Sequence, residues 1–131
     1  MISPAACLPY LCNLSVIEIE NLFEILLAQL EKAIQYNPKS ARSYNYLGYL
    51  YADKNIKIDR SLILIKKALE IEPENGAYID SLGWVYYRKG KYHIALENLL
   101  KAEMILDELE TPDPIVYDHI GDTYEKLKNF I

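Results

Sequence analysis

Within 131 residues the chain holds only two cysteines, one tryptophan, two phenylalanines and five glycines. Cys7 and Cys12 are too few to staple a small secreted scaffold. No histidine stands near them, so zinc is not expected there and small apolar packing is their reading. Basic residues are also short. Fourteen Lys+Arg against nineteen Asp+Glu give a formal charge of −5, which argues against sequence-independent nucleic-acid binding. No Lys or Arg precedes Lys32, and Pro4, Pro9, Glu18, Glu20 and Glu24 interrupt the apolar opening. Neither the cationic start of a signal peptide nor the ~18 apolar residues of a membrane span is present. Ala5-Ala6-Cys7 lacks the apolar region that a lipoprotein cleavage site needs before it.

Catalytic patterns are missing too. His93 and His119 form no His-x-x-x-His pair, and neither a Gly-rich phosphate loop nor a serine nucleophile elbow occurs. The expectation is a protein that is not an enzyme and takes no cofactor or metal. Asp118, Asp122 and Glu125 do share one helical face at i, i+4 and i+7, where a divalent cation could sit. A solvated acidic face is the ordinary outcome of that spacing.

What remains is a chain 51% hydrophobic and 25% charged, suited to one folded domain. Its order is repetitive. Tyr44-Asn-Tyr-Leu47-Gly48-Tyr-Leu-Tyr51 aligns with Ile79-Asp-Ser-Leu82-Gly83-Trp-Val-Tyr86 and with Tyr117-Asp-His-Ile120-Gly121-Asp-Thr-Tyr124. Lys32-Ala33, Lys67-Ala68 and Lys101-Ala102 form a second series in phase with the first. Ile79, Leu82, Gly83, Tyr86 and Gly90 fall at helical spacing, with Gly90 placed to end the helix. A second helix from about Lys91 carries Ile94, Ala95, Leu99, Ala102, Ile105 and Leu106 on one face. Pro38 and Pro73 end the corresponding helices, and Pro112 and Pro114 bracket the start of the last one. Gly48, Gly83 and Gly121 are expected to let each first helix approach its partner closely, against Ala33, Ala68 and Ala102.

These residues resemble the tetratricopeptide repeat family, whose period is ~34 residues with Leu-Gly-x-x-Tyr in the first helix and spaced alanines in the second. Leu82-Gly83, Tyr86, Gly90, Ala95 and Ala102 match, Leu99 stands where the family prefers Phe, and the resemblance covers about Leu22 to Lys128. It departs by one extra residue in Asp53–Asp59 and four in Asp107–Pro114. Asn45-Tyr-Leu-Gly-Tyr and Asp80-Ser-Leu-Gly-Trp-Val-Tyr-Tyr are similar to arrays of bacterial cell-envelope proteins, which leaves cytoplasm or the periplasmic side of the envelope as the expected place. The resemblance implies an all-α, right-handed superhelical solenoid of antiparallel helix pairs. Its expected parts are an irregular or degenerate first helix in 1–21, a second helix in 22–38, repeats at 41–75 and 76–112, and a first helix in 113–131.

The resemblance also implies that one side of the first helices lines a concave groove for a partner segment. Helical phase puts Asn45 and Tyr49, then Asp80, Trp84 and Tyr87, then Asp118, Asp122 and Glu125 on that side. A protein or peptide with apolar and basic residues would fit such a groove, and acidic chaperone tails would be repelled. The expected function is an adaptor or assembly scaffold. One alternative is homo-oligomerisation through the last helix, with Ile120, Tyr124, Leu127 and Ile131 as contacts. Another is the regulatory array of a larger enzyme.

Overall fold

The computed structural model describes residues 14–128. Six helices follow one another: α1 (Val16–Tyr36), α2 (Ala41–Asp53), α3 (Ile58–Ile71), α4 (Gly76–Arg88), α5 (Tyr92–Glu108) and α6 (Pro114–Leu127). No strand occurs among the described residues. The most extensive contacts join α2 to α3 and α4 to α5, while α1 on α2, α3 on α4 and α5 on α6 link the pairs into a row. First helices also adjoin one another, α2 against α4 and α4 against α6. The chain is thus an all-helical solenoid of paired helices.

Local chemistry sets the boundaries. Ser15 caps α1 in a reciprocal box, accepting from the Glu18 amide while the Glu18 carboxylate accepts from the Ser15 amide. That box starts the helix at Val16, so the stretch 16–21 continues the second helix instead of belonging to a degenerate first one. Residues 1–13 of that expected first helix lie outside the described residues. Ser40, Asn75 and Asp113 cap the three first helices through their side chains, and Pro114 takes the first turn of α6.

The ends of α2, α4 and α5 share a different device. Asn55 (φ 56°), Gly90 (φ 78°) and Glu110 (φ 56°) stand in the left-handed region. The next amide in each case, of Ile56, Lys91 or Thr111, reaches back to Tyr51, Tyr86 or Leu106 at 2.9 Å. This is the Schellman closure, where glycine and asparagine avoid most of the Cβ penalty. The extra residue between α2 and α3 is accommodated with Lys57 also left-handed, at φ 45°.

The core fills the spaces between helices, and Leu69 borders all three of its clusters. Two of the three motif glycines give the expected close approach, but against Ile65 and Ser61 and against Leu99 and Ala95 instead of the repeated alanines Ala68 and Ala102. A Cβ on Gly48 would stand 2.6 Å from Ile65 Cγ1, and one on Gly83 would stand 2.7 Å from Leu99 and 3.1 Å from the Ala95 carbonyl. Ser61 Oγ donates to the Gly48 carbonyl across the same contact. Gly121 departs from this: nothing lies within 4 Å of its Cβ position. No described helix packs on that side of α6.

Candidate partner-binding surface

The expected groove residues divide into a buried set and an exposed set. Asp118, Asp122 and Glu125 are exposed on α6, while Asn45, Tyr49 and Tyr87 are partly buried. Asp80 and Trp84 are not open to a partner. Each is 6% exposed, because α6 packs over α4 and lays His119 on them.

His119 is the residue that sequence reasoning missed. It is 5% exposed. Its ring stacks on Trp84 with centroids 4.1 Å apart and planes 16° from parallel. Its Nδ1 lies 3.0 and 3.1 Å from the two Asp80 oxygens. A carboxylate only accepts, so Nδ1–H donates and the buried charge of Asp80 acquires its partner. Tyr87 stacks beside Trp84 at 4.5 Å, and the ring of Tyr49 sits 6.2 Å from His119. A signal was available. A histidine on the side of α6 turned toward the preceding first helix must find a polar partner if buried, and Asp80 is the acid that the preceding first helix offers.

Arg88 completes the joint. Its guanidinium stands 4.8 Å from the Trp84 ring centroid. Its Nε donates to the Ala52 carbonyl and its Nη2 to that of Asp53, both at 2.9 Å. Those carbonyls stand at the C-terminal end of α2, where that of Ala52 also accepts from the Asn55 amide at 3.0 Å. The buried Asn45 Oδ1 and Trp84 Nε1 have no hydrogen-bond partner among the described residues.

Electrostatics on this side are acidic. The Tyr49 phenol is pushed up to about 12, by burial first and then by the carboxylates of Asp53, Asp80 and Asp113, with Arg88 opposing them. Carboxylates of α2, α4 and the α6 cap thus all oppose ionisation of one partly buried tyrosine. No group of three or more His, Cys, Asp or Glu that could hold a metal ion occurs among the described residues. Nor is any described helix long and apolar enough to cross a membrane.

The expected oligomer contacts also separate. Ile120, 9% exposed, belongs to the core with Ile79, Leu99 and Val116 and is not a surface residue. Tyr124 is 51% exposed, Leu127 is partly buried, and Ile131 lies outside the described residues.

No protein-family model matches the chain. A TPR repeat-containing protein of Pseudomonas aeruginosa is 35% identical to it over 100 residues, covering 73% of this chain and 16% of the relative. The chain thus corresponds to a small part of that longer protein. The glycine and alanine series, the helix pairs built on Gly48 and Gly83, and this relative agree: the chain belongs to the tetratricopeptide repeat family.

Proposed function

We propose that the chain is a protein-interaction module that holds a basic partner segment along the first helices. The observation that carries this is the exposed acidic set Asp118, Asp122 and Glu125 on α6, to which the buried Asp80, already partnered by His119, adds no open charge. Clustered carboxylates steer a cationic segment and repel an acidic one. Tyr49 and Tyr87, each partly buried, offer aromatic surface to an apolar side chain beside the cations. Asp80 and Trp84 serve as the foundation beneath that surface, held by His119.

Peptide titration tests the reading. A peptide with alternating lysine and aromatic residues is expected to bind at low salt and to weaken as salt rises. The same peptide with glutamate for lysine is expected not to bind. Asp118→Lys with Asp122→Lys should weaken the first peptide by about tenfold, as for the loss of two rim charges of ~0.5–1 kcal/mol each. Equal binding of both peptides to wild type and variant would sink the proposal.

A further inference from the structure

The caps of the three first helices are not chemically alike. Ser40, Asn75 and Asp113 each accept a backbone amide, and the residues that follow them are Ala41, Gly76 and Pro114. Asn75-Gly76 is the one Asn-Gly pair in the sequence. In such a pair the glycine nitrogen can attack the asparagine Cγ, because no side chain crowds that nitrogen and glycine leaves the backbone free to bend. Packing requires this glycine. A Cβ on Gly76 would stand 2.9 Å from Leu106 Cγ and 3.3 Å from Ile105 Cγ2. Capping requires the asparagine, whose Oδ1 accepts from the Tyr78 amide at 3.2 Å. Two structural demands thus place a reactive dipeptide at the first turn of α4, in the middle of the row.

The folded arrangement also keeps the reacting atoms apart. Asn75 stands in extended backbone with ψ at 109°. That rotation turns the Gly76 nitrogen away from the side of Cα that carries the side chain, whereas ring closure needs both on one side. The bond from the Tyr78 amide holds the carboxamide in its capping position, and Leu106 closes over Gly76. We infer that Asn75-Gly76 is a self-modification site which folding keeps shut, so that the chain deamidates here only when the first turn of α4 opens. In the opened turn the Gly76 nitrogen gives up its proton and bonds to Asn75 Cγ. The carboxamide nitrogen leaves with that proton as ammonia. Water then opens the five-membered imide at one of its two carbonyls. Opening at Cγ leaves an ordinary aspartyl residue, and opening at the backbone carbonyl leaves an isoaspartyl residue with the chain routed through Cβ and Cγ. The aspartyl product still caps, as Asp113 does for α6, and its charge suits a helix N-terminus. The isoaspartyl product lengthens the main chain by a methylene, so the cap and the contact of Gly76 with Leu106 cannot both re-form. Because ammonia is lost, each such opening leaves a permanent mark on the α4–α5 contact. This site is separate from the proposed partner surface and stands or falls without it.

The test holds the 131-residue chain in mildly alkaline buffer, with and without concentrated urea, and follows the peptide containing residues 75 and 76 by mass for conversion of amide to acid. Conversion in buffer should be at least about tenfold slower than in urea, since it draws only on the opened fraction. Leu106→Ala lifts the cover from Gly76 and should speed conversion in buffer about tenfold, with the rate in urea unchanged. Ile65→Ala makes a cavity in a different part of the core and should leave the rate in buffer near that of wild type, because the opening is local. Circular dichroism checks that both variants keep their helices. After separation of the products, the isoaspartyl form should denature at lower urea than wild type. The aspartyl form should match wild type, and Asn75→Asp, which supplies that product directly, should match it too. Equal rates in buffer and urea, or no conversion in urea, overturn the inference. So does an Ile65→Ala protein that converts as fast as Leu106→Ala, or an isoaspartyl form as stable as wild type.

Discussion

A single imidazole joins α6 to α4, the preceding first helix. His119 supplies the donor for a carboxylate that the fold has removed from water, and its ring covers the indole of Trp84. Removing it leaves Asp80 buried without a partner, the expensive half of a broken pair. His119→Ala is expected to lower unfolding free energy by about 3–5 kcal/mol, the range for stranding one partner of a buried pair. Adding Asp80→Ala should restore part of that loss, because the second change removes the stranded charge. Urea denaturation of the two single variants and the double variant closes the cycle. Equal losses that simply add would mean that the two side chains act independently.

The ends of helices are where individual backbone conformations become costly. Gly90 and Asn55 fill the left-handed position of their closures with residues suited to it, whereas Glu110 places a Cβ in the same conformation. Glu110→Gly removes that penalty and should raise stability by about 0.5–1 kcal/mol, since Cβ strain of ~1–2 kcal/mol is offset by the entropy glycine loses on folding. Gly90→Ala should act oppositely and lower the melting temperature in the same assay. A Glu110→Gly protein less stable than wild type would show that the glutamate side chain contributes more than the strain removes.

Helices of this kind were largely legible in the sequence. The glycine and alanine series fixed their phase, Gly90 and the prolines marked their ends, and the close contacts at Gly48 and Gly83 followed. What periodicity could not convey was depth. Asp80 and Trp84 occupy the turn of α4 that a groove-lining residue should occupy, and α6 nevertheless packs over them. The angle around a helix is local information, whereas burial depends on how closely the next first helix approaches. Gly121 illustrates the same limit: its motif matches that of Gly48, but the close approach needs a second helix beside it. The start of α1 was misplaced because Ser15 and Glu18 were not read as a capping box.

Across the whole molecule the tyrosines act together at high pH. Tyr49, Tyr51 and Tyr78 are raised by burial first, and Tyr117 by its hydrogen bond to Asp107 first. Their folded forms hold the phenolic proton beyond the pH at which an unfolded tyrosine releases it. The associated stability is complete below about pH 10 and is lost as pH rises toward the folded values, about 12 for Tyr49. Chemical denaturation midpoints should therefore fall steadily above pH 10, and Tyr49→Phe should make the fall shallower. An unchanged slope in that variant would remove Tyr49 from the account.

The Arg88 clamp bears on how the array would respond to load. Its two bonds to the end of α2 and its contact with Trp84 tie successive first helices together at one edge. The joint between α1 and α2 is crossed by a longer bond, the Tyr51 hydroxyl donating to Glu31 Oε1 at 3.3 Å, and the ion pair of Glu31 runs to Arg60 of α3. Pulled along its length, the row would be a stiff segment with a compliant end, and extension would begin where α1 peels from its neighbour.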